Sequence, residues 1–314
     1  MKNPLFTDSH PFTKFLFLLF IIVVSFSILL IIGLITAIPL FGISLSSFQD
    51  AVNVNNPENI GLIKYMQFIQ HIGIFIVPPL VAAFVFSENP KSYLKADTKS
   101  SFVLYILAGL IIVFAIPLIN YTGAINAKLS LPESFSGLET KIKAMEEAAK
   151  KMTDIFLDVK TPGGLAVNII LIALLPAIGE EFLFRGVLLK LFKEWTRNEH
   201  AAVLISAFLF SAVHFQFYGF LPRFLLGVLF GYLFVMSKNI WIPVTMHFIN
   251  NGLAVVLYYF MHDTDLYAEA EKIGTDSSSV MSMFFSVTVL AVMIYTFYTI
   301  SVKEKAKENQ QRGY

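Results

Sequence analysis

Long, unbroken runs of apolar residues set the pattern of this chain. About 20 consecutive apolar residues suffice for a helix to cross the hydrocarbon of a bilayer. By that rule the candidate spans are 15–41, 64–86, 101–119, 163–189, 201–217, 222–237, 240–260 and 279–301, the fifth and sixth being short. The runs are continuous and too long for barrel strands. The pattern therefore predicts an all-α fold, a polytopic transmembrane helix bundle of about eight spans. It divides the chain into an N-terminal unit of spans (1–120), an extramembrane or interfacial connection (121–162), a core of further spans (163–260), and a loop, last span and basic tail (261–314).

The long connection carries its own periodicity. Leu138, Ile142, Met145, Ala149, Met152 and Phe156 recur at alternating spacings of four and three, with Lys141, Lys143, Glu147, Lys150 and Lys151 between them. That spacing predicts an amphipathic helix that lies on the membrane surface or caps the bundle, with a substrate gate as the sharper reading. Pro162, Gly163 and Gly164 break the pattern where the next span begins. No internal repeat or low-complexity tract is visible.

Composition agrees with the bilayer. Hydrophobic residues make up 56% of the chain and charged residues only 14%, against about 25% charged in a soluble domain. A net charge of +1 leaves no electrostatic footprint for nucleic acid. The absence of Cys excludes disulfides, thiolate metal sites and a Cys nucleophile. Lys14 precedes an apolar run far longer than the roughly 7–15 residues of a signal-peptide core, so the run reads as a retained first span.

Orientation follows the Lys and Arg bias of short loops. With the N-terminus inside, the inner loops carry Lys91, Lys95, Lys99, Lys190, Lys193, Arg197 and Lys238. The tail adds Lys303, Lys305, Lys307 and Arg312, while Asp263, Asp265, Glu269 and Glu271 fall outside. Both termini are expected in the cytoplasm.

Ionisable residues inside spans are expensive, about 2.5–3.5 kcal/mol each on insertion scales, and usually mark function. The fourth span holds Glu180, Glu181 and Arg185. Glu181 and Arg185 are i,i+4 and share a face, which suits a buried ion pair that fixes helix packing. Glu180 projects about 100° away and is not neutralised by that pair. The fifth span carries Phe210 and His214 one turn apart, and the seventh carries His247 and Asn251 on one face. Each histidine alone could be a hydrogen-bonded packing residue; together with Glu180 they offer acid–base and hydrogen-bonding groups from separate spans. His71 is read as lying near an interface and is left out. His10, His200 and His262 read as solvated loop residues, and Asn120, Tyr121 and Asn126 as ordinary loop residues.

The ordered set Glu180-Glu181-x-x-x-Arg185, Phe210-x-x-x-His214 and His247-x-x-x-Asn251 resembles the signature of the CPBP family of intramembrane endopeptidases, which includes the CAAX-processing proteases. The resemblance covers about 163–260. It implies that Glu180 and His214 activate the attacking water, that His247 and Asn251 stabilise the oxyanion, and that Glu181 and Arg185, with Phe210, support the site. Peptide hydrolysis needs such a base near the water and donors aimed at the developing oxyanion. The implied partners are a peptide or protein substrate in or at the membrane and the lipid bilayer itself. Prenylated CAAX proteins are substrates of some members, and the resemblance does not carry that specificity to this chain.

Glu180, His214 and His247 would also make a two-His, one-Glu zinc set. Asn251 is a poor zinc ligand and no HExxH helix is present, so the reading favours no cofactor. Neither a GxSG nor a GxGD motif occurs on these spans. The alternatives outside the protease class are a proton-coupled transporter with a Glu180–His214 relay and a non-catalytic membrane scaffold. The repeated halves common in transporters are not visible.

Overall fold

The computed structural model describes residues 6–44, 48–51, 53, 56–273, 275 and 280–311. Among these residues the fold is all α-helical, with no strand. We number the main helices α1 (Pro11–Phe41), α2 (Ile60–Phe86), α3 (Phe102–Asn126), α4 (Ser136–Leu157), α5 (Pro162–Thr196), α6 (Glu199–Ala212), α7 (Phe220–Ser237), α8 (Trp241–Met261), α9 (Asp265–Lys272) and α10 (Val280–Gln311). Seven of them are long and apolar enough to cross a bilayer: α1, α2, α3, α5, α7, α8 and α10. The chain is a multi-pass integral membrane protein.

The fifth expected span becomes the shorter helix α6. Its 14 residues reach about 21 Å at 1.5 Å per residue, less than the roughly 30 Å of a hydrocarbon core. It ends at Ala212, so His214 stands in the turn just beyond the helix rather than within it. Helix α6 packs lengthwise against α7, and both lie against α5 or its neighbours inside the bundle.

Prolines shape two of the long helices. Both α2 and α5 contain a π-type turn, at Ile72–Ile76 and Ile169–Leu174, closely followed by Pro78-Pro79 and by Pro176. A helical proline lacks the N–H for the usual bond and crowds the carbonyl four residues back; a widened turn relieves that clash. A further π-type turn spans Phe182–Leu188, the stretch containing Arg185.

The basic loops gather at one end of the bundle. Lys14 at the start of α1 pairs with Glu194 near the end of α5 at 3.1 Å. Ile240 N–H donates to the Lys95 carbonyl (3.2 Å), and Ser101 N–H donates to Glu304 Oε1 (3.2 Å). The α2–α3 loop, the α7–α8 turn and the C-terminal part of α10 are thereby held together. Arg312, counted in the basic tail, lies outside the described residues. At the other end, Asn120 Nδ2 donates to the Ile273 carbonyl at 2.9 Å.

The amphipathic helix forms as its spacing predicts, as α4. Its C-terminal turn is pinned. Lys64 Nζ on α2 and Asn168 Nδ2 on α5 both donate to the Phe156 carbonyl, at 2.9 and 2.7 Å, and Lys64 also donates to Asn168 Oδ1. Its N-terminal half is tied to the α6–α7 loop: Tyr218 donates its backbone N–H to Glu146 (2.9 Å) and its hydroxyl to Glu139 (2.8 Å). Lys143 pairs with the same Glu139 at 2.9 Å.

Asn120, Tyr121 and Asn126 are not loop residues. Helix α3 runs to Asn126, past the expected end of its span at 119. Asn126 is buried; its side chain donates to the Phe217 carbonyl (2.9 Å) and accepts from Leu221 N–H (2.6 Å). A polar residue can stay helical at the end of a span when a neighbouring loop offers backbone partners, which the sequence of α3 alone does not reveal.

Candidate active site

A cavity of about 670 Å³ lies inside the bundle. Helix α5 contributes Glu180, α6 and its following turn contribute Phe210 and His214, α7 contributes Arg223 and Phe230, and α8 contributes His247, Asn250 and Asn251. Helix α2 adds Gln67, Gln70 and His71, and α4 adds Met152, Thr153 and Phe156. The residues expected to react, Glu180, His214, His247 and Asn251, therefore share one chamber, with the amphipathic helix forming part of its wall.

Glycines let the helices close on this chamber. A Cβ at Gly179 would come within 2.9 Å of Phe75 Cβ and 3.0 Å of His71 Nε2, so the residue before Glu180 must be small for α5 to lie against α2. Gly227 on α7 is similarly close to Ala207 and Phe210. Its carbonyl receives one of the hydrogen bonds of Arg185.

Glu181 and Arg185 are wholly buried beside the cavity, both 0% exposed. Arg185 Nη1 donates to Glu181 Oε1 at 2.9 Å, and Nη2 donates to the Gly227 carbonyl at 2.9 Å. The guanidinium also lies 4.7 Å from the ring centre of Phe210 and 5.5 Å from that of Phe230, where the ring faces attract a cation. The pairing expected from the i,i+4 spacing is present. The spacing did not reveal a third partner: His247 Nδ1 is 2.9 Å from the same Glu181 Oε1. Glu181 thus joins α5 to α8, and Phe210, edge-on to His214 and His247, packs between the two histidines.

The hydrogen bonds define what each ring can do. His214 Nδ1 lies 2.8 Å from the Phe210 carbonyl, which can only accept. Nδ1 therefore carries the proton, and Nε2 of the neutral ring holds a lone pair. His247 Nδ1 faces a carboxylate, so it too is the protonated nitrogen. Donation from both nitrogens of His247 requires the imidazolium, whose charge Glu181 is placed to balance. Glu180 Oε2 is buried without a hydrogen-bond partner, as is His71 Nε2. Asn251 Nδ2 donates to the Ile172 carbonyl (3.0 Å), and Asn251 Oδ1 accepts from Asn250 Nδ2 (3.0 Å).

Among the described residues no group of three or more His, Cys, Asp or Glu side chains is placed to hold a metal ion. Glu180, His214 and His247 share the cavity without converging as ligands.

Two cavity residues escaped the sequence reading. His71 lies in the chamber wall, packed 4.8 Å from the Phe75 ring. Gln67, Gln70 and His71 share a polar stripe on an otherwise apolar span, which was the available signal. Arg223 extends into the chamber and donates to Gln216, with Nη1 buried and unpartnered. It stands in the first turn of α7, a span whose pattern gives a lone cation there no distinguishing signal. His10, His200 and His262 lie at helix ends away from the chamber: His10 caps α1, His200 meets Tyr232, and His262 meets the Tyr258 carbonyl and Asp263.

Comparison with known proteins covers this part of the chain. Residues 162–253 match the family model described as type II CAAX prenyl endopeptidase, Rce1-like, and that stretch contains every residue of the three motifs. The three motifs thus all fall within the stretch that is similar to this endopeptidase family. A curated relative, "Uncharacterized protein YpbD" of Bacillus subtilis (strain 168), is 30% identical over 99 residues, which cover 30% of this chain and 48% of that protein. The chain spans about half the length of that relative. No solved structure matches the chain.

Proposed function

We propose that this protein is an intramembrane endopeptidase that hydrolyses a peptide bond of a membrane-embedded or membrane-delivered substrate. The observation that carries the reading is the shared chamber. A carboxylate without a hydrogen-bond partner, a histidine with a free Nε2 and a second histidine anchored on Glu181 line one cavity of about 670 Å³.

Glu180 and His214 hold and activate the water. The Glu180 carboxylate takes a proton as the water oxygen bonds to the carbonyl carbon, and Nε2 of His214 accepts a hydrogen bond from the same water. The carbonyl electron pair moves onto oxygen. His247, as imidazolium balanced by Glu181, and the remaining N–H of Asn251 face that oxyanion. Collapse of the tetrahedral intermediate breaks the C–N bond, and the proton held by Glu180 passes to the leaving nitrogen. Arg185 keeps Glu181 in position and does not react.

The test is cleavage by variants at matched levels of folded, membrane-inserted protein. Glu180→Gln and His214→Ala should retain the wild-type elution profile and lose nearly all cleavage, because the first removes the proton acceptor and the second the hydrogen bond that holds the water. Asn251→Ala should lose about 10²–10³ in rate, the cost of one oxyanion donor. Wild-type cleavage by Glu180→Gln, on a substrate that the His214→Ala protein leaves intact, would overturn the scheme and return the Glu180–His214 pair to the proton-relay reading.

A further inference from the structure

At the basic end of the bundle, away from the catalytic chamber, a polar cleft of about 830 Å³ opens between the α2–α3 loop, the end of α7 and the C-terminal part of α10. Lys95, Lys99, Lys238, Lys305 and Lys307 all line it, and among its described lining residues the acidic ones are Asp97 and Glu304. Glu304 is already engaged by Ser101 N–H. The cleft also contains the Ser301 hydroxyl, which is buried and has no hydrogen-bond partner. A concave site with excess positive charge and a vacant hydroxyl fits a tetrahedral oxyanion, for which ammonium and hydroxyl groups are the usual donors.

The surroundings favour a particular carrier of that anion. Ser101 and Ser301 line the cleft, and the residues that follow them, Phe102 and Val302, are 76% and 46% exposed. Val103 on the same helix is 50% exposed. Exposed apolar side chains thus adjoin the charged cleft along α3 and α10. Free phosphate would use only the lysines; a phospholipid would use both parts.

We infer that this cleft binds the phosphate headgroup of an anionic phospholipid, whose acyl chains lie against α3 and α10. The site is independent of the proteolytic reading. Basic pockets between membrane helices are suited to such headgroups, and the attraction falls with salt.

The experiment uses purified full-length protein in neutral detergent and native mass spectrometry to count retained lipid. The probes are phosphatidylglycerol and phosphatidylcholine with identical acyl chains, with glycerol phosphate and inorganic phosphate as competitors. Wild-type protein should retain phosphatidylglycerol over phosphatidylcholine, and Lys99→Gln/Lys305→Gln should weaken it about tenfold to thirtyfold. The control Lys141→Gln/Lys150→Gln, on exposed positions of α4, should bind like wild type. Lys307→Gln, at an exposed position near the helix end, serves as the milder variant if the double substitution alters the elution profile; it should weaken binding several-fold. Equal retention of the two lipids, or equal loss in the α4 control, would overturn the site. Displacement by inorganic phosphate at concentrations comparable to those of the lipid would overturn the assignment to a lipid.

Discussion

Removing Arg185 tests how the buried charges hold the site. The side chain is fully buried, and Arg185→Met takes away the hydrogen bonds to Glu181 Oε1 and to the Gly227 carbonyl together with the cation between Phe210 and Phe230. Breaking a buried ion pair from one side costs about 3–5 kcal/mol, because a charge is left uncompensated. The Gly227 carbonyl lies inside α7 and keeps its intrahelical hydrogen bond, so loss of its second donor adds about 1 kcal/mol or less. These losses overlap, since Glu181 keeps its contact with His247; the expected destabilisation is about 4 kcal/mol. Denaturant titration in mixed micelles, followed by tryptophan fluorescence, measures it. The double variant Glu181→Gln/Arg185→Met removes both charges while leaving His247 Nδ1–H an acceptor, and should recover at least half of the loss. An Arg185→Met protein as stable as wild type would refute the reasoning, as would a double variant no more stable than the single one. Activity should fall in both, since Glu181 positions His247.

Three further outcomes are expected. Reporter fusions at residue 314 and within 263–277 should score on opposite sides of the membrane, with residue 314 cytoplasmic, because the short basic loops gather at the end that holds Lys14 and Glu304; fusions reporting the same side would refute this. Purified active protein should contain well under one equivalent of zinc and keep its cleavage rate in chelator; stoichiometric zinc lost together with activity in His214→Ala would establish a metal mechanism. The contact of α4 with the α6–α7 loop should be acid-sensitive. Lys143 and the Tyr218 hydroxyl hold the Glu139 carboxyl below its ordinary range, so this contact is fully present above the usual carboxylate range and is lost as pH falls through the lowered value. Hydrogen exchange in 136–157 should rise in that acid window in wild type, and Glu139→Gln should abolish the pH dependence.

The sequence alone determined the class of this protein, its spans and the motifs of its site. Hydrophobic runs set by bilayer thickness are local properties, so α1, α2, α3, α5, α7, α8 and α10 were legible without a structure, and so was α4 from its four-and-three spacing. Charges deep in such runs are also local, which is why Glu180, Glu181, Arg185, His214, His247 and Asn251 stood out. Tertiary structure decided what those groups meet. Arg185 on α5 and His247 on α8 both bond Glu181, and the partner of His247 depends on how α5 crosses α8, not on either helix's periodicity. His71 was set aside and Arg223 not singled out, and packing places both in the chamber wall. His214 looked helical until α6 stopped short of it. Apolar pattern tells a helix to enter the bilayer; which of its polar side chains meet depends on close packing between helices far apart in the chain, where a glycine such as Gly179 sets the distance.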